Sequence, residues 1–226
     1  MASPISALNV LAIDTAQERC AVVVRAGGRT VATRTLTEPK GHAEALLPLL
    51  AQVLADAGLT YGDLQLLAAT TGPGVFTGVR VGLAAVRGLR LALNIPAVGI
   101  GTLPATAATA RAGGAEGPLA VVNDARRDEV YLQVFSAAGE PTGDAVLLPV
   151  GEAMMRLAAP MTIVGTGVAL VHAAASERGI ACGSVDRPDV GIVAAMAESQ
   201  YASGALAPPR PLYVRAPHIT QPRSRT

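Results

Sequence analysis

Along the chain, continuous apolar runs alternate with amphipathic stretches. Leu8 to Ile13 is an unbroken apolar run closed by Asp14-Thr15, the pattern of a strand buried on both faces. Cys20 to Ala26 follows, then Gly27-Gly28 as a two-residue hairpin turn, then Thr30 to Thr37 with alternating character. From Gly41 to Gly58 the period changes to helical. Leu46, Leu47, Leu50, Val53, Leu54 and Ala57 share one face, and Gly58 stands where a left-handed C-terminal residue belongs. Pro48 fits that helix only if the helix starts just before it, because proline has no N–H to donate. A strand at Leu66 to Thr70, a helix at Gly78 to Asn94, a strand at Ala97 to Ile100 and a helix at Leu103 to Arg111 complete this half.

Ala112-Gly113-Gly114-Ala115-Glu116-Gly117-Pro118 breaks the pattern, and beyond it the order repeats. Strands are predicted at Leu119 to Val122, Glu129 to Ser136 and Ala145 to Leu148, followed by a helix at Glu152 to Ala158. A strand at Thr162 to Val164, a helix at Ala169 to Arg178, a strand at Ile180 to Val185 and a helix at Val190 to Ser203 close the second half. Both halves read β-β-β-α-β-α-β-α, and each opens on an apolar strand ending in an aspartate, Asp14 and Asp124. The expected organisation is a duplicated α/β protein with a cleft between the acidic strand ends. Its parts are residues 1–111, residues 118–206 and a Pro- and Arg-rich tail over 207–226 that runs along the surface and then loses order.

The densest motif is Thr71-Gly72-Pro73-Gly74-Val75-Phe76-Thr77-Gly78-Val79-Arg80-Val81-Gly82. A strand, a Gly-rich turn and a helix N-terminus in this order direct backbone N–H groups outward, which suits an anion such as phosphate. Thr77 is placed to cap the helix, and Arg80 lies in its first turn. The glycine spacing matches neither the dinucleotide fingerprint nor a P-loop. Two readings stand: a phosphate cradle, or a tight turn whose glycines serve positive φ and close packing. Gly78, Gly82, Ala85, Gly88 and Ala92 then form one small-residue stripe, which predicts close approach of another backbone. Arg80, Arg87 and Arg90 lie on the opposite side, as a solvated basic face or as a contact surface.

Composition narrows the classes. The chain has 226 residues, half of them hydrophobic, enough for a sizeable core. A formal net charge of +1 and 3% aromatics with no Trp argue against independent nucleic-acid binding. No apolar run is long enough to span a membrane. The first eight residues carry no signal-peptide pattern, and Cys20 and Cys182 read as reduced core residues, so a cytoplasmic location is expected. Asp14 and Asp124 could hold Mg²⁺ through water, or could simply end strands and cap the next turn. Gly165-Thr166-Gly167 reads as a turn opening a helix, with a faint likeness to an adenosine-binding turn.

Five stretches in order carry a family resemblance. They are Val10-Leu11-Ala12-Ile13-Asp14-Thr15; Gly72 to Gly82; Leu93-Asn94-Ile95-Pro96-Ala97-Val98-Gly99; Asp124-Ala125-Arg126 with Glu129-Val130-Tyr131; and Pro211-Leu212-Tyr213-Val214-Arg215. Together they resemble the bacterial TsaB (YeaZ) family of tRNA threonylcarbamoyladenosine proteins, once classed with the M22 glycoproteases. The resemblance implies a duplicated RNase H-like fold of the actin-type ATPase and sugar-kinase kind. It implies a non-catalytic subunit that supports threonylcarbamoyl transfer to the adenosine beside the anticodon, as a heterodimer with a catalytic TsaD-type paralogue. A TsaE-type ATPase joins them, tRNA is met only through the complex, and a homodimer is an alternative when the partner is absent. The family's dimer surface uses the first two helices, which assigns His42, Leu46, Leu47, Leu50, Leu54, Gly82, Arg87 and Arg90 to the partner interface.

The catalytic relatives hold a metal with two histidines on one helix. Here His42, His172 and His218 are too far apart to form such a pair, so no metal site and no catalytic residue is assigned. No tightly bound cofactor is expected, with ATP or ADP and Mg²⁺ at the complex interface as the open case. The weak phosphate- or nucleotide-binding set is Asp14, Thr15, Gly72, Gly74, Thr77, Arg80 and Asp124. The competing reading, a self-standing ATPase or phosphotransferase, would use the cleft, Asp14 and the Gly72–Gly74 loop. A peptidase has no support, because Ser176, Ser184 and Ser199 lack a G-x-S-x-G context. Arg210, Arg215, Arg223 and Arg225 could touch tRNA phosphates inside a larger assembly.

Overall fold

The computed structural model describes residues 8–37 and 42–214; the side chain of His42 and the residues Arg215, His218, Arg223 and Arg225 lie outside that part. The first half builds a five-stranded sheet from β1 (Asn9–Gln17), β2 (Arg19–Ala26), β3 (Arg29–Leu36), β4 (Leu66–Thr70) and β5 (Ala97–Ile100), in the order β3-β2-β1-β4-β5. β1 pairs antiparallel with β2 and parallel with β4. The two strands are buried along almost their whole length, which accounts for their unbroken apolar sequence. Gly27 and Gly28, both at positive φ, make the hairpin turn, and Gly58 at φ 65° ends α1 (His42–Asp56) as expected. A short 3-10 turn, Tyr61–Asp63, leads into β4.

The second sheet repeats the plan with β6 (Leu119–Arg126), β7 (Glu129–Phe135), β8 (Val146–Pro149), β9 (Thr162–Val164) and β10 (Ala181–Cys182), in the order β10-β9-β6-β7-β8. The remaining helices are α2 (Phe76–Leu93), α3 (Thr102–Ala112), α4 (Val150–Met155), α5 (Val168–Glu177) and α6 (Val190–Ser203). The β-β-β-α-β-α-β-α order is present twice.

Helices cover both faces of each sheet, and the last helix of each half crosses over. α1 and α2 bury Leu46, Leu50, Val53, Val79, Leu83 and Val86 against Leu11, Ile13 and Val22 on one face of the first sheet. The opposite face, Val10, Ala12, Val23 and Ala68, is covered by Val190, Val193, Ala194 and Ala197 of α6, which follows the second sheet in sequence. In turn α3, which follows the first sheet, packs Leu103, Ala107 and Ala110 on Leu119, Val121 and Phe135 of the second. α4 and α5 cover its outer face. The glycine-rich break over residues 112–118 therefore divides the sequence, while packing joins the two halves through α3 and α6.

Several boundaries differ from expectation for physical reasons. β1 and β6 run on past Asp14 and Asp124, because the strand irregularity at each aspartate lets pairing resume at Gln17↔Arg19 and Arg126↔Glu129. The aspartates therefore sit inside strands, not at their ends. Pro48 lies inside α1 on its exposed side, where water can satisfy the carbonyl it leaves free. β10 is only two residues long. Among the described residues no helix is long and apolar enough to cross a membrane.

The segment after α6 docks against the first half. Gly99 donates its N–H to the Ala207 carbonyl at 2.8 Å, and Leu212 donates to the Thr71 carbonyl at 2.8 Å. Pro209 is buried, and its carbonyl accepts from Arg87 at 3.2 Å. Gly99 is required beneath it, since an added Cβ would lie 2.8 Å from the Pro208 oxygen.

Candidate functional site

The irregular ends of β1 and β6 face one another across the molecule. At each, the backbone N–H two residues on returns to the aspartate. Ala16 donates to Asp14 Oδ1 at 3.1 Å, and Arg126 donates to Asp124 Oδ1 at 2.7 Å. The two carboxylates then diverge in environment. Asp14 is fully buried; Oδ1 also accepts from Thr70 Oγ1 at 2.7 Å, Oδ2 has no hydrogen-bond partner, and Arg19 stands 3.7 Å away. Burial pushes the Asp14 carboxyl above the usual carboxylate range, against the opposing pull of Thr70 and Arg19. Asp124 stays half-exposed and pairs with Arg126, which also reaches Glu18 at the end of β1.

Between these ends lies a cleft of about 840 Å³. One wall is the glycine loop and the start of α2, and the other is the β6–β7 turn with Thr166. The loop is shaped by packing. A Cβ on Gly74 would lie 2.0 Å from the Ala16 carbonyl oxygen, and the Val75 N–H donates to that same oxygen at 2.7 Å. Gly72, at φ 94°, lies under Leu212 of the docked tail. Gly82 faces Thr15, whose Oγ1 donates to the Gly78 carbonyl at 2.8 Å, so these two glycines let α2 approach β1 closely. Close packing alone is reason enough for Gly74 and Gly82.

Arg80 reaches the cleft from α2. Its guanidinium carbon lies 3.7 Å from the centroid of Phe76, and its Nε donates to the Tyr213 hydroxyl at 3.1 Å. The Phe76 and Tyr213 rings are 5.5 Å apart, so the tail clamps Arg80 from one side. On the opposite wall Arg126, Arg127 and Asp128 all have left-handed backbone, with φ 65°, 58° and 57°. Such a run of non-glycine residues is uncommon and strained, and it carries Arg127 to the cleft. Asn123 is buried at the cleft floor, with Oδ1 accepting from the Thr166 N–H at 3.2 Å and Nδ2 without a partner. The Gly165–Gly167 turn does open a helix, with Gly167 preceding α5, and Thr166 Oγ1 accepts from the Asp124 N–H at 3.0 Å.

Of the residues assigned to phosphate or nucleotide, the cleft gathers Gly74, Arg80 and Asp124. Asp14 and Thr15 are buried behind it, and Gly72 packs beneath the tail. Thr77 does not cap α2, because the helix begins at Phe76 with Val75 preceding it and no side-chain cap. Of the residues assigned to the partner interface, Leu46, Leu50, Leu54 and Gly82 are buried in the chain's own core. Leu47, Arg87 and Arg90 are exposed, Arg87 being tied to Pro209. Phe76, Asn123, Arg127, Thr166, Arg187 and Tyr213 line the cleft without having been assigned to it. No local sequence signal marks Arg127, whose backbone geometry appears only in the fold. Among the described residues no group of three or more His, Cys, Asp or Glu side chains is arranged to hold a metal ion.

Comparison with known proteins gives concordant results. The sequence model of the family described as TsaD: tRNA N6-adenosine threonylcarbamoyltransferase matches residues 34–199. The chain is 38% identical over 169 residues to the tRNA threonylcarbamoyladenosine biosynthesis protein TsaB of Escherichia coli, covering 71% of this chain and 72% of that one. A solved structure from Pseudomonas aeruginosa, of a protein similar to peptidase YEAZ, superposes with TM-score 0.78 at 30% identity, covering 92% of this chain and all of that one. The (R)-2-hydroxyglutaryl-CoA dehydratase component A of Acidaminococcus fermentans shares the fold at TM-score 0.51 and 10% identity, over 87% of this chain and all of that one. The architecture is thus the duplicated RNase H-like fold.

Proposed function

Because the chain belongs to the TsaB (YeaZ) family, we propose that it serves tRNA threonylcarbamoyladenosine biosynthesis as a non-catalytic subunit, by heterodimerising with a TsaD-type paralogue. The observation that carries this reading is the outer face of α2. Gly88 is exposed with nothing within 4 Å of an added Cβ, and Leu91 beside it is 84% exposed. A glycine inside an exposed helix costs about 1 kcal/mol relative to alanine, and none of the described residues comes within 4 Å of a Cβ at Gly88 in return. A partner backbone approaching that face would account for both residues, and Leu47 of α1, 61% exposed, adds apolar surface on the neighbouring helix. The three histidines at 42, 172 and 218 supply no helical metal-binding pair, which is consistent with chemistry performed by the partner.

The test is light scattering behind size exclusion, with this chain and the TsaD-type paralogue from the same organism. The wild type should give a one-to-one complex. Gly88→Arg, whose Cβ would have no described residue within 4 Å, should keep its melting temperature and weaken the complex at least tenfold. Equal affinity for the two proteins would remove this face of α2 from the interface, and no complex at micromolar concentrations would end the heterodimer reading.

A further inference from the structure

We propose that the cleft is a docking groove for an extended acidic peptide of a partner protein, its carboxylates met by Arg80 and Arg127 and its backbone by Gln17 and Asn123. This goes beyond the heterodimer reading and does not depend on it. Charge is the first ground. The cleft is lined by Arg80, Arg126, Arg127 and Arg187 against Glu18 and Asp124. Arg126 takes up both of those carboxylates, and Arg187 pairs with Asp186. Arg80 and Arg127, one on each wall, have no carboxylate partner among the described residues. Arg80 is held against Phe76 and donates Nε to Tyr213, so it is positioned without being neutralised. Two uncompensated guanidinium groups across a groove complement carboxylates, which they bind with paired N–H donors.

The second ground is the cleft floor. Asn123 and Gln17 both line the cleft and are only 3% and 6% exposed. Among the described residues Asn123 Nδ2 is a donor without a partner, and Gln17 Oε1 is an acceptor without one. The Thr166 N–H engages Asn123 Oδ1, which leaves Nδ2 as the free end of that amide. An unmet donor and an unmet acceptor in one cleft are the complement of a peptide unit, which carries one C=O and one N–H. An ionised phosphate has acceptors only and would leave Gln17 unmet. The third ground is the rim. Val75, Phe76, Leu212 and Tyr213 are half-exposed around the same cleft, an apolar grouping that a small anion would not cover. The backbone N–H groups of Ala16, Val75, Asp124, Arg126 and Thr166 are already donated within the chain, so they are not free to cradle a phosphate.

The experiment is fluorescence anisotropy on the full-length chain. The probes are short labelled peptides with glutamate and leucine in equal number and every order, and the matching glutamine–leucine set. The variants are Arg80→Gln and Arg127→Asn, the second chosen because asparagine accepts left-handed backbone and removes only the cation. Melting temperatures are followed in parallel. Acidic peptides should bind at micromolar concentration, and their glutamine counterparts at least tenfold more weakly. Each variant should weaken the acidic peptides at least tenfold with its melting temperature unchanged. Should Arg80→Gln melt lower, Arg127→Asn decides alone. No acidic peptide bound up to millimolar concentration, equal affinity for the glutamine set, or unchanged affinity in a stably folded variant would each overturn the proposal. Saturable binding of inorganic phosphate or ATP that needs both arginines, with no peptide bound, would assign the cleft to a small anion and likewise overturn it.

Discussion

Asp14 shows what one buried carboxylate does at the residue scale. Four neighbours, Thr70, Arg19, Ala16 and Arg187, favour its charged form, yet full burial dominates and raises its pKa. A carboxyl raised in the folded state stabilises the fold while it is protonated in both states, below the unfolded value. That contribution is lost as pH rises from the unfolded value through the folded one. Asp14→Asn, which does not titrate, isolates the effect. In thermal melts the wild type should gain on Asp14→Asn as pH falls from 7 to 4. A constant difference would mean that Asp14 ionises in the fold as it does in the unfolded chain. Burial acts likewise on Cys20, whose thiol is pushed up to about 11, first by desolvation and then by Asp14.

At the scale of elements, the glycine loop and α2 are organised by how closely α2 lies on β1. Gly74 has no positive φ to explain it; its reason is the Ala16 carbonyl, 2.0 Å from where a methyl would sit. A backbone neighbour cannot swing away, so Gly74→Ala should cost about 1–3 kcal/mol through overpacking and lower the melting temperature by roughly 2–4 °C per kcal/mol. An unshifted melt would show that the loop can lift from β1. The sequence pattern made this loop visible as a motif and left two uses open. The close-packing use became visible only through the approach of Gly74 to Ala16, nearly sixty residues apart in sequence. The same holds for α1, whose apolar face was legible at Leu46, Leu50 and Leu54. Periodicity marks a face as apolar without telling whether the chain or a partner covers it, and here the first sheet does. Leu50→Arg would consequently report on folding before it reported on any partner.

For the whole molecule, the exchange of α3 and α6 makes the two sequence halves interdependent. Arg25 of β2 donates Nε and Nη2 to the Glu198 carboxylate of α6, both at 3.1 Å, in a largely buried bidentate pair between the halves. Glu198→Ala leaves Arg25 without its partner, and should reduce stability in urea unfolding by about 1.5–3 kcal/mol. Glu198→Gln, which keeps an acceptor, should lose less. Equal losses would mean that packing rather than the pair holds α6. By itself the sequence determined the elements and their doubled order, because strand and helix periods, turn glycines and apolar runs are local properties. Through its motifs it also determined the family. Only the tertiary structure decided that α6 covers the first sheet, that Asp14 is enclosed while Asp124 faces the cleft, and that Tyr213 reaches back 133 residues to hold Arg80. Those outcomes depend on which surfaces meet and how much water they exclude, and such contacts leave no periodic trace in the chain.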